Sequence, residues 1–138
     1  MPLKVHTGLN TDIIIITVNP GMTPACLRHQ LATPGVKGII LETYGAGNAP
    51  DYDWFNDAIR EAVDRGIVIL NVTQCVNGSV MQRRYATGDR LARAGVISGH
   101  DITTEAALTK MMFLFGCGLT PHQVANSLLH PICGEMTI

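Results

Sequence analysis

Asp12-Ile13-Ile14-Ile15-Ile16-Thr17-Val18, with Asn19-Pro20-Gly21 and then Thr23-Pro24 behind it, is the stretch that decides the fold. Its isoleucines do not alternate with polar residues. A short, continuous β-branched run reads as a strand buried on both faces. Asn19-Pro20-Gly21 turns the chain. Thr23 then supplies an N-cap and Pro24 a first-turn proline, so a helix opens over Ala25 to Leu31. Strand, turn, capped helix: the unit is one half of a parallel crossover.

The same unit recurs outward from there. Pro34-Gly35 breaks the helix, and Val36 to Thr43 is a second apolar strand. Gly45 to Pro50 is a loop. Asp51 and Asp53 suit the start of the next helix, whose apolar face draws on Trp54, Ala58, Ala62 and Val63 and which Gly66 ends. Ile67 to Val72 is a third strand. Thr73 to Arg84 is polar and irregular. Tyr85 to Ala94 forms a helix, Val96-Ile97-Ser98 a short fourth strand, and Thr103 to Phe115 a helix rich in Ala, Leu and Met. Thr120-Pro121 repeats the cap-and-proline signal before a last helix through Leu129. The expected architecture is α/β: a flavodoxin-like, doubly wound parallel sheet of about four strands, with helices on both faces. There is no internal repeat, and the 138 residues suit one domain.

Composition narrows the function. Lys+Arg is 10 against Asp+Glu 11, a formal charge of -1, with no basic run, so a nucleic-acid partner is not expected. No apolar stretch approaches the ~20 residues of a membrane helix. Met1 to Val5 lack the apolar core of a signal peptide. Cys26, Cys75, Cys117 and Cys133 form no CxxC pair and read as buried, reduced thiols. The five histidines share no metal-ligand spacing, so no metal site is expected.

Ligands of such sheets sit outside the carboxyl ends of the strands. The segments there are Asn19-Pro20-Gly21, Glu42 to Asn48, Thr73-Gln74-Cys75 and Ser98 to Asp101. They are dense in hydrogen-bonding groups that suit a small zwitterion. They are equally what any strand-to-helix loop needs in order to turn and cap. Gly45-x-Gly47 lacks the third glycine of a dinucleotide loop, because position 50 is Pro. Cys75 with His100 on the same edge could make a nucleophile and base, but no nucleophile elbow surrounds Cys75. Glu42 with Asp101 could make a carboxylate pair; Asp101 reads better as the cap of the helix near Thr103.

Tyr44-Gly45-Ala46-Gly47-Asn48-Ala49-Pro50 resembles the YGxGNAP segment of type I L-asparaginases. Asp64-Arg65-Gly66-Ile67-Val68-Ile69, Asn71-Val72-Thr73-Gln74-Cys75, Tyr85-Ala86-Thr87-Gly88 and Ala94 to Asp101 follow in that family's order. So do Thr104 to Lys110 and Gly134-Glu135-Met136-Thr137. The resemblance covers nearly the whole chain and is to the family's C-terminal domain. It implies a cytoplasmic enzyme that hydrolyses L-asparagine to L-aspartate and ammonia without metal or organic cofactor. The family's nucleophilic threonine belongs to an N-terminal domain marked by T-G-G-T-I and T-D-T-M, segments that do not occur here. The resemblance therefore assigns no catalytic residue to residues 1–138 and makes them inactive in isolation. It implies an N-terminal asparaginase domain as partner, a homo-oligomer, and completion of a neighbour's active site, with Tyr85 a candidate by position. Some bacterial members hold an allosteric L-asparagine in this domain, which points to Glu42, Thr43, Asn48, Thr73 and Cys75. Those members have arginine where Glu42 stands, and glutamate would repel the ligand's carboxylate that arginine clamps. Two other readings remain at this point. One is a stand-alone small-molecule-binding regulatory module with the same fold. The other is a subunit of a tRNA-dependent amidotransferase, which would call for basic residues absent here.

Overall fold

The computed structural model describes residues 1–82 and 86–138. Among these residues four strands and five helices follow one another: β1 (Ile13–Thr17), α1 (Pro24–Leu31), β2 (Gly38–Thr43), α2 (Asp53–Asp64), β3 (Val68–Thr73), α3 (Ala86–Arg93), β4 (Ile97–Ser98), α4 (Thr104–Gly116) and α5 (Pro121–Leu128). The sheet is parallel throughout, in the order β1-β2-β3-β4. The expected four-strand α/β sheet with helices on both faces is therefore present.

The isoleucine run serves both faces at once. Ile16 points with Ile39, Leu41 and Ile69 toward α1, α2 and α3, where Leu27, Phe55, Ile59 and Leu91 are fully buried. Ile13 points with Ile40, Leu70 and Val72 toward α4 and α5, where Met111, Leu114, Val124 and Leu128 wait. All three crossover helices thus share one face, and the change of face comes after β4 rather than within the strand order. Each fully buried aliphatic or Phe side chain contributes about 1.5–3 kcal/mol.

Local signals account for most helix ends. Thr23 caps α1 by accepting from the Cys26 N–H, and Thr120 with Gln123 forms a full capping box on α5. Gly66 follows α2 at φ +90°, the left-handed stop that only glycine adopts freely. Asp101 is not the cap of α4. Thr103 is, accepting from the Ala106 N–H, while Asp101 Oδ1 takes the Thr137 N–H at 2.6 Å. The thiols also differ from expectation: all four are free but exposed. Cys26 lies on the outer side of α1, whose inward positions are Leu27 and Leu31; the other three lie in loops or just past a helix end.

The chain after α5 is fastened to the second face. Lys110 is buried in α4, its ammonium 2.6 Å from Glu135 Oε1 and 2.6 Å from the His130 carbonyl oxygen. Glu135 also accepts from the backbone N–H groups of Ile132 and Cys133 at 2.8–2.9 Å. Burial opposes ionisation of Glu135, but the Lys110 ammonium and these N–H donors outweigh it. They hold the carboxyl far below the ordinary glutamate range. A depressed folded-state pKa stabilises the native state above the unfolded value and loses that contribution as pH falls. Wild type should therefore lose stability below pH ~4.3 more steeply than Glu135→Gln, in urea titrations at stepped pH. Lys110→Met leaves an unpaired buried carboxylate and is expected to cost about 3–5 kcal/mol at neutral pH.

Candidate functional site

At the carboxyl ends of β2 and β3 the apolar pattern gives way to Thr43, Asn71 and Thr73. Asn71 is fully buried on the crossover-helix face. Thr43 donates to Asn71 Oδ1 at 2.5 Å, with the Val72 carbonyl a weaker acceptor at 3.2 Å. Asn71 Nδ2 in turn donates to the Gly47 carbonyl at 3.2 Å. Thr73 donates to the Gly45 carbonyl at 2.5 Å and accepts from the Cys75 N–H at 3.0 Å. Such buried amides and hydroxyls are costly unless paired, and here each finds a partner in the loop above.

That loop is a tight reversal. Tyr44 and Asn48 exchange backbone hydrogen bonds of 2.8 Å, and Gly47 sits at φ +99°. A Cβ at Gly47 would lie 2.7 Å from Val80 Cγ1, so both the turn and the packing demand glycine. Thr87 donates to Asn48 Oδ1 at 2.9 Å, tying the loop to α3. Gln74 staples the strand ends together: its Nε2 donates to the carbonyls of Val18 and Glu42 at 2.8 and 3.1 Å.

Beside this frame lies a cleft of about 300 Å³ lined by Glu42, Thr73, Gln74, Cys75, Thr103 and Thr104, with Asp101 and Glu105 at its acidic side. Glu42 accepts from Thr17 Oγ1 at 2.6 Å and from Thr104 Oγ1 at 2.7 Å. Its carboxylate thus faces the first turn of α4, where the helix dipole favours an anion. Asp101 is held below the ordinary carboxylate range, first by the Thr137 backbone N–H and then by that residue's side chain. Among the described residues, three carboxylates and no Lys or Arg line the cleft.

Of the five ligand candidates, Glu42, Thr73 and Cys75 come together here. Thr43 and Asn48 are turned to the loop and α3 instead. Tyr85 lies outside the described residues. Cys75 and His100 are apart: His100, at φ +54°, lines a separate groove beside β4. Glu42 and Asp101 share the cleft, as a carboxylate pair would, but both are spent on hydrogen bonds within the fold. Asn71 and Gln74 were not singled out by the sequence. The signal was available: an amide inside the otherwise apolar run Val68-Ile69-Leu70-Asn71-Val72 must be paired if it is buried.

The fold is thus a parallel α/β domain with a glycine-built reversal and a polar cleft at its strand ends. The chain belongs to the Glutaminase/Asparaginase C-terminal domain family, whose pattern matches residues 12–128. It is 42% identical to L-asparaginase 1 of Escherichia coli (strain K12) over 98% of its own length, which is 40% of that protein. It is 40% identical to the 60 kDa lysophospholipase of Homo sapiens, over 98% of this chain and 23% of that one. The solved L-asparaginase I of Vibrio cholerae superposes with a TM-score of 0.91 at 40% identity, covering 98% of this chain and 40% of that chain. The chain therefore spans less than half the length of these relatives.

The loop frame is testable. Thr43→Val keeps the shape but removes the donor to Asn71, and is expected to cost about 1–3 kcal/mol in urea unfolding. Amide exchange at Gly47 and Asn48 should accelerate in the same variant.

Proposed function

We propose that the chain acts as the C-terminal domain of an L-asparaginase, in a protein that hydrolyses L-asparagine to L-aspartate and ammonia. The observation that carries this reading is the 42% identity to L-asparaginase 1 over 98% of the chain, against 40% of that enzyme. The remaining length of such an enzyme would be the N-terminal domain that supplies the nucleophile, and that domain is the expected partner. The threonines here suit support rather than attack. Thr43 and Thr73 spend their protons on Asn71 and the Gly45 carbonyl. That a protein named as a lysophospholipase carries a similar domain agrees with this division of labour. The domain's work is then to hold the partner domain, build a cytoplasmic homo-oligomer and complete a neighbour's active site, with Tyr85 a candidate for that last role. No cofactor is called for.

The same reading treats Glu42, Thr73 and Cys75 as the surviving lining of an allosteric amino-acid pocket, framed by Thr43 and Asn48. Its charge disfavours the ligand. Glu42, Asp101 and Glu105 repel an α-carboxylate, and among the described residues no guanidinium of the lining answers it. The domain thus serves structure in preference to regulation.

Two measurements test this. Fused in place of the C-terminal domain of the E. coli enzyme, the chain should support ammonia release from L-asparagine; alone it should release none. A folded but inactive chimera, or turnover by the chain alone, contradicts the reading. In calorimetric titration L-asparagine should give no binding heat with wild type and measurable heat with Glu42→Arg; binding to wild type would restore a regulatory role.

A further inference from the structure

Gly116 does not stand in α4 for its backbone freedom. It belongs to the helix's last turn, and the left-handed stop falls two residues on, at Gly118, φ +77°. Glycine weakens a helix that alanine would strengthen. The reason for it here is steric. A Cβ at Gly116 would run into the Gly8 carbonyl oxygen and lie 2.9 Å from Leu9 Cα. Both are backbone atoms, so no side-chain rotation relieves the clash. Gly8 makes the other half of the contact: its own Cβ would come within 3.3 Å of the Gly116 carbonyl oxygen. Two glycines 108 positions apart in sequence thus let two backbones touch.

The contact continues on either side. The Asn10 N–H donates to the Met112 carbonyl at 3.0 Å. The His6 ring stands edge-on to Phe113 with centroids 5.4 Å apart, and its Nδ1 lies 3.7 Å from Cys117 Sγ. Positions 112, 113, 116 and 117 share one face of the helix by their spacing. It is the face opposite Met111, Leu114 and Phe115, which pack inward. Asn10 Oδ1 then accepts from the Asp12 N–H at 2.8 Å and turns the chain into β1. Before His6 the chain leaves the helix, and Met1, Leu3 and Val5 are exposed.

We infer that residues 6–10 are a strap seated on the outer face of α4, which fixes where the preceding chain departs and so places the catalytic domain in the assembled enzyme. The inference rests on the C-terminal-domain reading above, in which the nucleophile-bearing domain precedes this one. A flexible ten-residue linker would spread its far end over about 17 Å. Completing an active site tolerates errors of only about 1 Å. A strap held at His6, Gly8 and Asn10 removes most of that spread.

Gly116→Ala tests the seat without weakening the helix, because it adds a helix former where it blocks the strap. In the 138-residue chain the Asn10 amide is expected to exchange at least about tenfold faster in this variant, with the α4 amides still protected and the thermal midpoint not lowered. In the chimera with the E. coli enzyme, kcat/KM for L-asparagine should fall at least about tenfold. His6→Ala, which loosens the strap and leaves α4 intact, should shift both readouts in the same direction. A role in stability alone would lower the midpoint and spare turnover. An Asn10 amide unprotected in wild type, or unchanged by Gly116→Ala, overturns the strap. Faster exchange with unaltered turnover overturns its placing role. An inactive wild-type chimera removes the asparaginase reading and the placing role with it, while Asn10 exchange still decides whether the strap is seated.

Discussion

The structure depends on covering the second face of its sheet. A parallel sheet must bury both faces, because its strands are apolar on both. The three crossovers here all pass on one side, so that face is covered as a consequence of chain connectivity. The other face has no crossover. Among the described residues it is covered by the chain that follows β4: α4, α5 and the last segment, with Met136 tucked beneath Lys110. The Lys110–Glu135 pair holds that segment down, with the Asp101–Thr137 bond as a second fastening. A buried ion pair is a poor source of net stability, but removing either partner strands a charge. It therefore acts mainly to define where the last residues lie.

The same constraint shapes the strand ends. Where β2 and β3 emerge from between the helices, apolar side chains give way to Thr43, Asn71 and Thr73, and their hydrogen bonds run upward into the 44–48 reversal. The loop is held by the sheet rather than by its own residues. Gln74 then links the ends of three neighbouring segments through the Val18 and Glu42 carbonyls. The polar residues that look most like ligand-binding groups are thus largely occupied in building the platform. What remains open to solvent is an acidic cleft, with Cys75 and the Glu42 carboxylate at its lip. Its charge, more than its shape, sets which small molecules it tolerates.

The two edges complete this picture. The polar stretch after β3 was the least readable part of the chain, yet it has a clear task in the fold: Val80 and Gln82 close the β4 edge. Among the described residues no corresponding segment guards β1. The asymmetry is a property of the whole sheet and is invisible in either strand alone.

The sequence by itself determined the order of strands and helices, the sheet's burial on both faces, and the caps at Thr23 and Thr120. These are written locally, in runs of β-branched residues and in the spacing of cap, proline and glycine. The YGxGNAP segment and its companions also carried the family, because their order and spacing survive in one dimension. Tertiary structure decided the rest. It put Thr43 against Asn71 and Thr104 against Glu42, turned Asp101 from a helix cap into an anchor for Thr137, and left the four thiols exposed. It also joined Lys110 to Glu135. Each of these depends on which distant segment arrives beside a given side chain, set by strand register and helix packing. A hydroxyl or carboxylate can satisfy its hydrogen bonds in many ways, so local sequence does not choose its partner; the packed fold does.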